Sequence, residues 1–550
     1  MMKKIFTLLG FLLTTVLLQG QNLLLSSPLE IPLVLSGTFA ELRSNHFHGG
    51  IDIKTQGRSG LKVRAVAGGY VSRIAINPYG YGNALYIKHP EGYTSVYGHL
   101  NGFSTEIERW VEAQLRDRNK NDGNLYPSKE SFVVQREEFV AFSGNTGGSM
   151  GPHLHFELRD SRTEEPLNPL EFGLSVQDSR PPSLRGLMWV TQDFSDRGTF
   201  KDGDTLDLRS LEIKTPIGIN LYTTDKQDGA NNNNGVYEIQ SSVNNEAVFG
   251  AEYRRINFST SRFINAHFDY QQYYATGARW TRLYELDNNP LKISNTEENI
   301  FPDFRSSKGW ITVAKDSLVA VRILVTDYAG NQSNTSFYIL GSSTDNVART
   351  GLSWEQMHTL NENGIRINIP SGAMYRNTDF QLAKTDQGKY LIGGGDVPLQ
   401  KNIEVIWSLD STQKIGFGWF AWIEGRNNKR QAEIGTRSGD TLTFSTRKTG
   451  TYWLDQDLID PSVSLVQQSA FSRSGSQFKE IRVRAEDDKT GVDRYSARID
   501  GEFARIDFDY KHNLLKVILP KELSAGSHNL RIVVIDGVGN TTTKEYNITL

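Results

Sequence analysis

From Gly37 to about Phe172 the chain is a run of short strand-forming segments cut apart by glycine turns, a rhythm that dictates a mainly β fold. Val63-Arg-Ala-Val-Ala, Tyr70-Val-Ser-Arg-Ile-Ala-Ile, Ala84-Leu-Tyr-Ile-Lys and Tyr93-Thr-Ser-Val-Tyr have strand composition, with turns at Gly68-Gly69, Tyr79-Gly-Tyr-Gly and Glu91-Gly92. One stretch breaks the pattern. Phe103, Ile107, Trp110, Val111 and Leu115 recur at helical spacing, which predicts an amphipathic helix over 104–118. Thr105-x-x-Glu108 is expected to form its capping box, and a polar loop (Asp117 to Lys129) follows before strands resume at Phe132.

At 550 residues the chain is too long for one core. The region after Asn168-Pro169-Leu170 contains an internal echo. Asp178-Ser-Arg-Pro-Pro-Ser and Asp457-Leu-Ile-Asp-Pro-Ser form equivalent linkers. Val325-Thr-Asp-Tyr-Ala-Gly-Asn331 matches Ile535-Asp-Gly-Val-Gly-Asn540, and Gly235-Val236 matches Gly491-Val492, each after an acidic turn. These predict two copies of one antiparallel sandwich, immunoglobulin-like or fibronectin-like, the first enlarged by a polar, aromatic insert around 252–310. The expected layout is a signal peptide over 1–20, a small antiparallel domain with one inserted helix over 36–175, and a sandwich with insert over 176–345. A β-rich domain over 346–455, containing Gly418-Trp-Phe-Ala-Trp, and a final sandwich over 456–550 complete it.

Lys3 and Lys4 followed by the apolar run Ile5 to Leu18 predict export, with cleavage near Gly20-Gln21 or retention as an N-terminal anchor. No later apolar run is long enough to span a bilayer. Sixty Lys+Arg against sixty-three Asp+Glu leaves no polycationic footprint, which argues against nucleic acid. Cysteine is absent, so disulfide scaffolds, thiolate metal sites, cysteine nucleophiles and a lipobox are all excluded.

Six of the ten histidines lie between residues 46 and 155, in His48-Gly-Gly-Ile-Asp52, Tyr97-Gly-His99-Leu100 and Gly151-Pro-His153-Leu-His155-Phe-Glu157. Leu154, Phe156 and Leu158 alternate with the last pair, so on a strand both imidazoles face one side and the apolar residues the core. Gly49-Gly50 lets the chain turn so that a loop histidine and a strand aspartate converge. Two imidazoles and a carboxylate are the donors of a catalytic-type zinc site, with a fourth position open. No His-Glu-x-x-His occurs, so the proton acceptor must be His99 or His153.

These motifs, in this order and with Ser143-Gly-Asn-Thr-Gly-Gly between them, resemble the lysostaphin/LytM-type zinc metallopeptidases that cut peptidoglycan peptides. The resemblance covers roughly residues 36–173. It implies one zinc ion held by His48, Asp52 and His155, with His99 and His153 as the catalytic pair that activates water and stabilises the tetrahedral intermediate. Two features depart from the family. A 101–131 insert follows His99, and Arg136-Glu137-Glu138 stands where a Lys-Gly turn is usual.

The expected function is therefore a secreted zinc metalloendopeptidase of peptidoglycan, periplasmic, envelope-associated or extracellular. Its C-terminal β-domains are expected to position it or to bind a protein or glycan partner, and the 104–118 helix to border the groove. The alternatives are a non-hydrolytic activator of a cell-wall amidase and an adhesive surface protein. His46 reads as a surface or supporting residue, His89 as a solvated loop histidine, and His267, His358, His512 and His528 as structural. Asp225 to Asp228 and Glu486-Asp487-Asp488 read as capped turns between strands, with calcium binding through oxygen as the alternative.

Overall fold

The computed structural model describes residues 23–549, apart from 215, 294–306, 343–350, 412, 414–415, 467–470, 473–478 and 522. The expected signal peptide lies outside the described residues. The chain is mainly β. Its N-terminal part consists of β1 (Leu35–Gly37), β2 (Ile51–Lys54), β3 (Lys62–Arg64), β4 (Gly69–Ile76), β5 (Asn83–Lys88), β6 (Tyr93–Leu100), β7 (Gly102–Phe103), α1 (Thr105–Asp117), β8 (Gly123–Leu125), β9 (Val133–Val134), β10 (Phe139–Phe142), β11 (His153–Asp160) and β12 (Pro166–Leu167). The main sheet runs β1-β2-β11-β6-β5-β4-β8, with β12 on β11 and β9 on β4, while β3-β10-β7 forms a small second sheet.

Strand alternation separates the core from the site. Ile51 and Ile53 on β2 and Leu154, Phe156 and Leu158 on β11 are fully buried in the core. The register pairs Ile53 with Leu154, Asp52 with His155 and Ile51 with Phe156. Asp52, His155, Glu157 and Arg159 therefore share the opposite, polar face. At Gly50 the two backbones come so close that a Cβ would lie 2.1 Å from the Phe156 carbonyl oxygen, so only glycine fits.

Helix α1 begins where its apolar stripe predicts, with Ile107, Val111 and Leu115 buried. The capping box does not form as expected. Ser104 is the N-cap and its side chain makes no capping bond. Glu108, one position too far along for a box, accepts instead from the Phe103 amide at 2.7 Å.

Beyond residue 175 the sheets pair face to face. A four-stranded sheet built on Ser183–Thr191 and Ile217–Thr224 accompanies a five-stranded one built on Leu318–Thr326 and Gln332–Leu340. Two five-stranded sheets follow over 358–456, and a five- and a four-stranded sheet over 462–549. The buried apolar side chains fall into three large clusters. One is continuous from Leu23 to Ile339, so the first sandwich shares its core with the N-terminal sheet, and the others span Ile365–Tyr452 and Val463–Ile548. The last sandwich folds back onto the N-terminal domain. Arg505 pairs with Glu112 of α1 (Nε to Oε2 3.0 Å), Asn121 accepts from the Ile506 amide at 2.8 Å, and the rings of Tyr79 and Tyr510 lie 4.9 Å apart. Among the described residues no helix is long and apolar enough to cross a membrane.

Candidate metal centre

Three elements bring the site together. His48 sits in the loop between β1 and β2, Asp52 on β2 and His155 on β11. His48 Nε2, Asp52 Oδ1 and His155 Nδ1 form a triangle with edges of 3.0, 2.9 and 3.1 Å. All three residues are buried and can hold a metal ion.

The tautomers show what this triangle fits. His48 Nδ1 is 2.7 Å from the Thr38 carbonyl oxygen and must donate to it, so in the neutral ring Nε2 carries a lone pair. His155 Nε2 is 2.8 Å from Glu157 Oε1 and donates there, which leaves a lone pair on Nδ1. With both rings neutral, two nitrogen lone pairs and a carboxylate oxygen thus point at one another. A cation in the middle resolves this, and tetrahedral donors about 2.05 Å from a centre are separated by about 3.3 Å. The donor set fits zinc.

The electrostatics agree. Burial alone would raise the Asp52 carboxyl, but the imidazoles of His48, His153 and His155 outweigh it and hold it well below the carboxylate range. Burial likewise disfavours a charged His155, yet its hydrogen bonds to Asp52 and Glu157 lift its pKa to about 9, so that without a metal ion a proton on Nδ1 supplies the positive charge. The pocket is built for positive charge.

Supporting groups surround these donors, and the motifs alone did not reveal them. Arg43 Nη2 donates to Asp52 Oδ2 at 2.9 Å, which turns Oδ1 toward the histidines. A side chain at Gly37 would collide with this pair, its Cβ falling 2.5 Å from Arg43 Nη2 and 2.7 Å from Asp52 Oδ2. Glu157, fully buried, accepts from His155, from Tyr81 Oη at 2.6 Å and from Arg159 Nε at 2.7 Å. Against the cost of burial, Arg159 and His155 hold the Glu157 carboxyl at about 2. Glu157 stands at the end of the His-x-His-x-Glu alternation, a signal to which the sequence reading attached no role, whereas Arg43 left no signal in the sequence.

His99 and His153 stand beside the triangle, their ring centroids 4.7 Å apart. His99 Nδ1 donates to the Thr146 carbonyl at 2.8 Å, and His153 Nδ1 to the Gly151 carbonyl at 2.8 Å. Each ring therefore turns an Nε2 lone pair to the site, and His153 Nε2 lies 3.4 Å from Asp52 Oδ1. Burial, reinforced by His155 and His153, pushes His99 down to about 3. His99 also takes a left-handed φ of 59°, at the point where β6 gains one residue against β5. Such strain is sustained only where the surroundings impose it. Here Thr146 does so, since its Oγ1 also donates to the Leu100 carbonyl at 2.9 Å.

The remaining histidines lie elsewhere. His46 is exposed. His89 is not the solvated loop residue expected. It is 2% exposed, with Nδ1 donating to the Gly68 carbonyl and Nε2 paired with Ser95 Oγ, because the antiparallel pairing of β4 with β5 sets it beside Gly68 and Gly69. His267 is buried against Tyr253.

Residues 46–114 match peptidase family M23, across both His48-x-x-x-Asp52 and His99. A stretch of 137 residues is 33% identical to the DD-carboxypeptidase/endopeptidase Mpg of Neisseria meningitidis, covering 25% of each chain. The chain carries an M23 peptidase domain. The His153–His155 strand lies beyond the family match and reaches the donor triangle through its pairing with β2. An uncharacterized metalloprotease of Haemophilus influenzae is 31% identical over 22% of this chain and 20% of its own length. The chain thus spans about a quarter or less of the length of these curated relatives. Among solved structures, the catalytic domain of lysostaphin from Staphylococcus simulans aligns with 26% of this chain and 91% of its own, at 19% identity and a TM-score of 0.20. A zinc-containing peptidase from Vibrio cholerae aligns with 27% of this chain and 39% of its own, at 24% identity and a TM-score of 0.20. Residues 349–457 match the Zu5-like domain.

Proposed function

We propose that this chain is an exported zinc metalloendopeptidase that hydrolyses peptide bonds of peptidoglycan, in stem peptides or cross-bridges, at the cell envelope. The observation that carries the reading is the donor triangle of the M23 domain, with both imidazole lone pairs and Asp52 Oδ1 converging within 3.1 Å. In this reading His48, Asp52 and His155 hold one zinc ion. When bound, zinc supplies Lewis acidity to the scissile carbonyl and the attacking water.

The chain's own residues do the rest. His99 and His153 are the catalytic pair, each ring anchored through Nδ1 so that Nε2 faces the reacting groups. One ring accepts the proton of the attacking water at Nε2 and then passes it to the leaving amine; the other must be an imidazolium, protonated at Nε2 as well as Nδ1, to donate to the tetrahedral oxyanion. Arg43 and Glu157 keep the ligands oriented, which limits reorganisation during the reaction. The β-domains after residue 175 position the M23 domain or bind a protein or glycan partner.

The test pairs zinc content with muropeptide analysis of isolated sacculi treated with wild type or His155→Ala. One zinc per chain and newly cleaved peptides, both lost in the variant, are the expected result. Bound zinc without peptide release from any wall type would overturn the peptidase reading in favour of a non-hydrolytic activator.

A further inference from the structure

The first and last sandwiches repeat a polar lock at their entrances. In the first, Asn331 Nδ2 donates to Asp327 Oδ2 at 2.8 Å and to the Asp178 carbonyl at 3.3 Å. In the last, Asn540 Nδ2 donates to Asp536 Oδ2 at 2.7 Å and to the Asp457 carbonyl at 3.2 Å. The lock draws the incoming linker onto the Asp-x-x-x-Asn turn. In the first sandwich it also gathers three carboxylates from distant parts of the sequence. Asp178, Asp225 and Asp327 place carboxylate oxygens within 4.8 Å of one another.

These acids are not a solvated surface cluster. Asp225 and Asp327 are each 3% exposed. Asp225 Oδ1 is buried with no hydrogen-bond partner. Burial, together with Asp178 and Asp327, pushes the Asp225 carboxyl up to about 7. Arg180, the neighbouring guanidinium, donates to the Gln227 and Ala230 carbonyls. The hydrogen bonds to Asp178 and Asp327 come from neutral groups, the Arg180 amide and Asn331. A buried carboxylate oxygen left unpartnered beside two other carboxylates is unfavourable unless a cation joins it. Asp178 and Asp225 also line a cavity of about 30 Å³ together with Thr38, Gln227 and Gly235, which leaves room for a water molecule.

We propose that Asp178, Asp225 and Asp327 form a site for a hard divalent cation of the calcium type, at the seam between the M23 domain and the first sandwich. The donors are oxygen only, as Ca²⁺ requires, and water from the cavity completes the coordination. The last sandwich reproduces part of this. Asp487 Oδ1 is likewise buried and unpartnered near Asp457 and Asp488. There, however, Asp488 is exposed and Thr490 Oγ1 donates to Asp457 Oδ2, so that cluster is the weaker of the two.

The seam also reaches the M23 centre. Thr38 Oγ1 accepts from the Gly235 amide at 3.0 Å, while the Thr38 carbonyl receives His48 Nδ1. Gln227 Oε1 accepts from the Leu35 amide at 3.2 Å. A cation that orders residues 225–235 would steady the segment that orients His48. This last link rests on the proposed role of His48, whereas the cation site does not.

The experiment is calorimetric titration of the zinc-loaded full chain with CaCl2, accompanied by melting curves. Wild type should bind Ca²⁺ and melt several degrees higher with it. Asp225→Asn should bind one equivalent fewer and, in Ca²⁺-free buffer, melt no lower than wild type, because the substitution relieves repulsion. If Asp225→Asn does not fold, the half-buried Asp178→Asn should show the same loss of one equivalent. No Ca²⁺ binding by wild type at millimolar concentration, or an unchanged stoichiometry in the folded variant, would overturn the proposal. Either result leaves the zinc content and the peptidase reading to their own test.

Discussion

Asp52 and His155 are direct cross-strand partners, and His155 Nδ1 lies 2.9 Å from Asp52 Oδ1. This pairing makes the donor triangle a property of the sheet, since a one-residue slip between β2 and β11 would send one of the two into the core. Each donor of the triangle is held by a further group, Asp52 by Arg43, His155 by Glu157 and His48 by the Thr38 carbonyl.

Glu157→Gln keeps the shape of this support and removes its charge. His155 Nε2 then loses a carboxylate acceptor and the buried Arg159 loses its buried counter-ion, keeping the exposed Glu164 at 3.4 Å. Zinc affinity should fall by roughly 10- to 100-fold. Stability should fall by about 3 kcal/mol. Chelator competition and urea titration measure the two, and an unchanged zinc affinity would show that Glu157 does not orient His155.

His267 predicts a pH dependence away from the metal. Burial, with the nearby Arg282 adding to it, keeps this ring neutral with a pKa of about 3, against 6.5 for an ordinary histidine. The unfolded chain therefore takes up a proton first as pH falls. The contribution to stability is complete above pH 6.5 and is lost toward pH 3, at about 1.4 kcal/mol per pH unit. His267→Gln, which can still accept from Tyr253, should lose about 2 kcal/mol less than wild type between pH 7 and 5. Denaturant melts at the two pH values decide it; equal slopes would refute the assignment.

The ion pair between Glu112 and Arg505 docks the last sandwich on α1, with each side chain less than a tenth exposed. Arg505→Met should destabilise by about 3 kcal/mol, because Glu112 is left charged in a closed interface. The double variant Glu112→Leu with Arg505→Met should recover part of that loss, since the Glu112 charge is gone while Asp507, the other partner of Arg505, keeps its own. A double-mutant cycle in urea provides the measurement. Additive losses would mean that the two side chains do not act as a pair.

Lys511 joins the last sandwich to the loop beside His99 and His153. Its Nζ donates to the carbonyls of Asn145 (2.6 Å) and Ser149 (2.8 Å), in the loop that positions His99 through Thr146 and His153 through Ser149. Lys511→Met should lower kcat on peptidoglycan peptides roughly tenfold through misplacement of the two rings. Bound zinc should stay at the wild-type level. Loss of zinc along with rate would place the damage at the metal ligands instead.

Local periodicity carried the first part of the reading. The alternation His153-Leu154-His155-Phe156 can lie on a sheet in only one way, with both imidazoles on the polar face, and the i, i+4 stripe of Ile107, Val111 and Leu115 marks α1 to within a residue at each end. The echo between Val325–Asn331 and Ile535–Asn540 was visible as a repeated sequence and returns as the same Asn-to-Asp lock in two sandwiches.

The partnerships could not be read in that way. Arg43 meets Asp52 only because β1 turns back along β2, Glu112 meets Arg505 across 393 positions of sequence, and Asp178, Asp225 and Asp327 arrive from three separate segments. Alternation along one strand depends on backbone geometry that every residue carries with it. Which strand lies beside which, and which buried charge then finds a counter-ion, depends on packing the whole chain, so the tertiary structure alone decided which acids pair and which remain without a partner.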